Sequence, residues 1–107
     1  MSVARDREFE QRAIREIAGC LGVDVEPLIA FAQHRADIGQ AEYGHDFPDL
    51  ARNLEHEALD ELADAAIYVV WQLDAIHRGL HDGDVERLQI VLKHVALAFA
   101  GLLRGAA

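Results

Sequence analysis

Four stretches of helically spaced apolar residues, the lack of any convincing strand pattern, and short breaks at glycine, proline and aspartate predict an all-α, four-helix bundle-like fold. At 107 residues the chain reads as one domain, 1–107, with helices over about 4–18, 25–41, 48–78 and 84–104. It shows no internal repeat, low-complexity tract or linker.

The first stretch is charged at almost every turn. Phe9, Ala13, Ile14, Ile17 and Leu21 mark its apolar edge, and Gly19 or Gly22 closes it. Asp24 is the N-cap candidate of the second helix, where Pro27 fits only the first turn. The core edge expected there is Leu28, Phe31, Ala32 and Ile38, with His34, Asp37 and Ala41 on the other side. From Glu42 to Pro48 the pattern breaks, because Gly44 permits an unusual backbone angle and the residue before proline disfavours helix. Pro48 then suits the first position of a long third helix that Gly79 stops. Asp82 or Asp84 caps the fourth helix, which carries Val85, Leu88, Val91, Leu92, Val95, Phe99 and Leu102.

The third helix organises the rest. Ala58, Leu62, Ala66, Val69, Val70, Leu73 and Ile76 make a core-facing stripe, while Glu57, Asp60, Glu61 and Asp64 share an arc of about 100° on the other side. That arc continues into Tyr68, Trp71 and Ala75, and residues 65–71 are apolar all round. A helix of this kind is covered on every side, by its own bundle or by a second subunit. Val95 to Leu103 has little polar relief and carries the same expectation. Like charges one turn apart repel by a few tenths of a kcal/mol per pair, and a divalent cation would offset this.

Composition narrows the function classes. A net charge of −9 and ten scattered Lys and Arg argue against a nucleic-acid backbone binder, so an anionic ligand would need a metal to mediate. Cys20 is the single cysteine, which excludes an internal disulfide and cysteine-based zinc sites and reads as a small buried residue near a helix end. The N-terminus lacks a signal-like apolar core and no uncharged run is long enough to span a bilayer, so the expected location is cytoplasmic, with no membrane partner.

Carboxylates one turn apart give a hard divalent ion its oxygens on a rigid support, with room for water and a phosphate. Glu61 with Asp64, Glu57 with Asp60, and Glu57 with Glu61 are such pairs. The run Glu61-Leu62-Ala63-Asp64, continuing Ala-Ala-Ile-Tyr-Val-Val-Trp-Gln-Leu, resembles the ExxD helix of the all-α nucleoside triphosphate pyrophosphohydrolases, the MazG-like and dimeric dUTPase group. With Tyr43-Gly44 upstream, the longer string is also similar to small phage-encoded proteins grouped near that superfamily. The resemblance covers about residues 43–73. It implies a MazG-type, homo-oligomeric bundle that uses Mg²⁺ to release pyrophosphate from a nucleotide. The family's second pair, ExxE on the preceding helix, has no counterpart; the corresponding positions read His34-Arg-Ala-Asp37.

Carried onto this chain, the resemblance implies Glu61 and Asp64 as catalytic residues. Glu57, Asp60, Glu61, Asp64 and Asp37 would be ligands of Mg²⁺ or Mn²⁺. One carboxylate would orient water for attack on phosphorus, converting a nucleoside or deoxynucleoside triphosphate to monophosphate and pyrophosphate. Tyr43, His45 and Phe47 would stack on a base or touch a phosphate, or else plug the bundle's end; Arg52 and His56 would pair with a phosphate or serve only the surface. Tyr68 and Trp71 read as core or subunit interface. The expected partners are a nucleotide and one or three further copies of the chain, as homodimer or homotetramer. The missing ExxE pair and the negative charge favour an alternative: a non-catalytic acidic helical module that binds another protein or sequesters a nucleotide, phage-encoded and acting on a host factor.

Overall fold

The computed structural model describes residues 4–44 and 52–106, and every regular element among them is helical. These are α1 (Arg7–Ala18), a single 3₁₀ turn (Gly19–Leu21), α2 (Glu26–Tyr43), α3 (Leu54–His77) and α4 (Val85–Ala106). The all-α expectation holds. The chain divides into two compact units, Met1–Arg52 and Asn53–Ala107, each a pair of helices.

In the first unit, α1 begins at Arg7 because the Asp6 carboxylate accepts from the Phe9 N–H at 3.0 Å and so caps the helix. The reversal after Leu21 uses Gly22 at φ 74°, a backbone angle that glycine alone adopts without strain. Pro27 lies in the first turn of α2 as expected, but the N-cap is Val25 and not Asp24, whose carboxylate sits one residue earlier and accepts from the Glu26 N–H at 3.0 Å. Of the expected packed side of α2 only Ala32 is half-buried. Val25 and Ile29 are buried, and Ala32, Gln33, Ala36 and Asp37 follow on the same side, whereas Phe31 and Leu28 are 74% and 55% exposed. The cause lies in α1, whose inner side offers Ala13 and Ile14 but also Arg5, Glu10 and Gln11 around it. The side of α2 that can both bury an isoleucine and answer those polar groups wins. Cys20 is exposed, correcting the buried reading, and its thiol meets the Ile17 carbonyl at 3.0 Å.

In the second unit, Arg52 and Asn53 are not helical, so the third helix does not run unbroken from Pro48, which itself lies outside the described residues. Asn53 starts α3 by accepting from the His56 N–H at 3.0 Å. Leu59, outside the predicted stripe, is buried; of that stripe Ala58, Leu62, Ala66, Val69, Leu73 and Ile76 are half-buried on the side of α4 that offers Leu88, Leu92, Val95, Phe99 and Leu102, whereas Val70 is 41% exposed. At its far end α3 closes with paired reverse bonds: Leu80 N–H donates to the Ala75 carbonyl at 2.9 Å and Gly79 N–H to Ile76 at 3.0 Å, with Gly79 at φ 74°. Asp84, of the two expected caps, accepts from the Arg87 N–H at 3.0 Å and starts α4. Val85–Gly105 has a mean hydropathy of 1.3, enough in length and composition to cross a membrane, a test that core helices of soluble proteins also pass.

Candidate functional site: an apolar groove beside an acidic arc

Because α3 is unbroken from Leu54 to His77, Glu57, Asp60, Glu61 and Asp64 do fall on one side of it. Glu57 is half-buried and the other three are exposed. His56 Nδ1 lies 3.5 Å from Asp60 Oδ2, a loose contact one turn away. The arc ends in an aromatic pair, Tyr68 and Trp71, packed edge to face with centroids 5.6 Å apart and both more than half exposed. Asp60, Glu61 and Asp64 give this side exposed negative charge, while Asp74, farther along α3, is paired with Arg78 at 3.1 Å.

Around the helix from Asp60, Asp64 and Trp71, within about 60°, comes Ile67 and then the edge of a groove. Leu62, Ala66 and Val70 of α3 and Leu92, Val95 and Phe99 of α4 line it, enclosing about 450 Å³ between almost wholly apolar walls. Alanines at positions 63 and 66 make the hollow; the larger Ile67 and Val70 frame it. On α4 a second, smaller concavity lined by Gln89 and Lys93 adjoins it, sharing Leu92 and Ala96. The sequence held a signal for this groove in the all-round apolar run 65–71, but not its shape, which depends on which α4 side chains face the two alanines.

Asp37 is placed differently. It belongs to the first unit, where Arg5 Nη1 donates to its Oδ1 at 2.6 Å and Arg7 Nη2 donates to the same oxygen. The Arg5 side chain, only 2% exposed, also donates through Nε to both oxygens of Glu10 at 3.0 Å and through Nη1 to Gln40 at 3.3 Å. Gln33 donates to Glu10 at 2.6 Å, which ties the network back to α2. The hydrogen bond from Arg5 holds the Asp37 carboxyl below the usual aspartate range despite some desolvation. Arg5 itself is pushed up, chiefly by Glu10. Nearby, Arg15 clamps Glu26 through two bonds of 2.7 and 2.9 Å and lowers the Glu26 carboxyl in the same way.

As for metal chemistry, Glu57, Asp60, Glu61 and Asp64 have the hard oxygen donors that Mg²⁺ or Mn²⁺ takes, on successive turns of one helix. Asp37 fits such a role poorly, because two guanidinium groups already neutralise the oxygen it would offer. Among the described residues no three Asp, Glu, His or Cys side chains converge as a metal site. Tyr43 is the exposed last residue of α2, Arg52 is exposed just before the cap of α3, and His45 lies outside the described residues. No family model matches the chain, and no curated protein or solved structure does either.

Proposed function

We propose that the chain is an acidic helical binding module whose working surface is the α3–α4 hairpin. The observation that carries this reading is the groove: two packed helices bury only Leu59 below a tenth of its surface, while Ile67, Val70 and Trp71 beside the hollow stay 39%, 41% and 58% exposed. A helical hairpin with such a face gains apolar burial only by receiving another helix. Homodimer and homotetramer assembly are two ways of supplying it. The test is the mass and dye binding of the full chain. An oligomer that Ala66→Glu dissociates, or a monomer whose binding of an apolar dye Ala66→Glu abolishes, supports the module. A monomer whose dye binding ignores that substitution contradicts it.

A second reading is favoured by the register of the acids. Glu61 and Asp64, with Glu57 and Asp60 beside them, keep the ExxD arrangement on an unbroken helix. In a MazG-type hydrolase they would hold Mg²⁺ against a triphosphate, and the metal would offset charge as pyrophosphate leaves. The pure protein incubated with nucleoside and deoxynucleoside triphosphates and Mg²⁺ should then release pyrophosphate, and Asp64→Asn should not. No turnover with any nucleotide removes this reading and leaves the module.

A further inference from the structure

We propose that the occupant of the α3–α4 groove is a basic amphipathic helix of another protein, seated with its apolar side chains in the hollow and its cations over the acidic arc of α3. The proposal rests on the binding-module reading and adds the chemistry of the partner.

Shape comes first. From Leu62 to Val70 the groove runs along two turns of α3, about 12 Å at 1.5 Å per residue. That length accepts the i, i+3 or i+4, and i+7 side chains of one helix. Small residues at Ala63 and Ala66 let the incoming backbone come close, and the 450 Å³ hollow takes two or three leucine-sized side chains in place of one aromatic plug.

Charge then decides the occupant. Asp60 and Asp64, both exposed, flank the groove on its α3 side, with the exposed Glu61 beside them. A second copy of the chain, at −9, would bring the same carboxylates and return Arg87, Lys93 and Arg104 from its own α4, fewer cations than the acids it adds. Its α3 laid against this α3 would set like charges together. A cationic helix meets the field without that penalty. Asp60 and Asp64 also orient it by drawing its basic side to α3, while Lys93 lies beyond Leu92 and Ala96 on α4.

The experiment titrates the full-length protein, by calorimetry, with a synthetic helix of leucine and lysine about 18 residues long and amphipathic at 3.6 residues per turn. Two controls have the same length: one with its leucines and lysines reordered to abolish the apolar face, one with glutamate for lysine. The amphipathic basic peptide should bind at least about tenfold tighter than either control. Ala66→Glu should abolish that binding. Val70→Asp, at a position already 41% exposed, should do the same while circular dichroism keeps its helical signal. Asp60→Asn with Asp64→Asn should weaken binding several-fold and flatten its salt dependence. Equal binding of the reordered peptide would reduce the effect to net charge and overturn the proposal. So would full binding to both groove variants, or no binding at all. If no peptide binds but the protein sediments as an oligomer that Val70→Asp dissociates, the occupant is a second copy. The present proposal then fails and the binding module stands.

Discussion

Arg5 reaches Asp37 across the interface of α1 and α2, 32 residues along the chain, and donates to its Oδ1 at 2.6 Å from a side chain that is 2% exposed. A hidden guanidinium needs its countercharges, because an unpaired one keeps the desolvation penalty without the attraction. Asp37→Asn should therefore lower the melting temperature of the helical signal in circular dichroism. Asp37→Glu should restore part of the loss. If Asp37→Asn melts like the wild type, the network contributes nothing to the first unit.

The pH dependence follows from the same groups. Arg5 lowers the Asp37 carboxyl and Arg15 the Glu26 carboxyl, so each contributes stability above its unfolded pKa and loses it as pH falls through the lower, folded value. The loss belongs below about pH 4. Both carboxylates are roughly half exposed, so solvent screening keeps the effect modest. Denaturant unfolding measured from neutral pH downwards should show this decline, and Glu26→Gln combined with Asp37→Asn should flatten it. A wild-type profile that is flat down to pH 2, the lower end of the scan, would contradict the assignment.

Leu59 is 6% exposed and is the one buried residue among the described residues of the hairpin. Leu59→Ala should destabilise the second unit by about 2–4 kcal/mol, the range of leucine truncations in packed cores. Thermal or urea unfolding of the full chain checks it, and a loss under about 1 kcal/mol would mean that the site collapses onto the missing atoms.

Gly79 ends α3 at φ 74° with open space around its Cα. Gly79→Ala should cost about 1–2 kcal/mol from backbone strain alone. Gly79→Asn should cost less, since asparagine tolerates this conformation. Equal unfolding of all three proteins would show that the reverse bonds from Leu80 and Gly79 do not hold the end of α3.

Much of the fold was legible because its signals are local. Gly79, Asp84 and Pro27 each act through the chain next to them, and the stripe from Ala58 to Ile76 follows from helical spacing. The packed side of α2 was legible only at Ala32, because Leu28, Phe31 and Ile38 on one flank of it and Val25 and Ile29 on the other are both credible apolar sides, and the Arg5, Glu10 and Gln11 groups across the interface choose between them. Asp37 shows the same limit. On a helical wheel it belongs to a solvated side, yet two arginines from the start of the chain bring it into the interface. The acids of α3 were legible as an arc, and their exposure on an isolated side was not. The groove needed α4 set against Ala63 and Ala66 before it had a shape.

Methyl NMR of the full-length protein during titration with the leucine–lysine helix asks most directly where a partner sits. Shifts concentrated on Leu62, Ile67, Val70, Leu92 and Val95 are the predicted result. Shifts absent from these residues, or centred on the exposed apolar side of α2 at Leu28 and Ile38, would contradict the account.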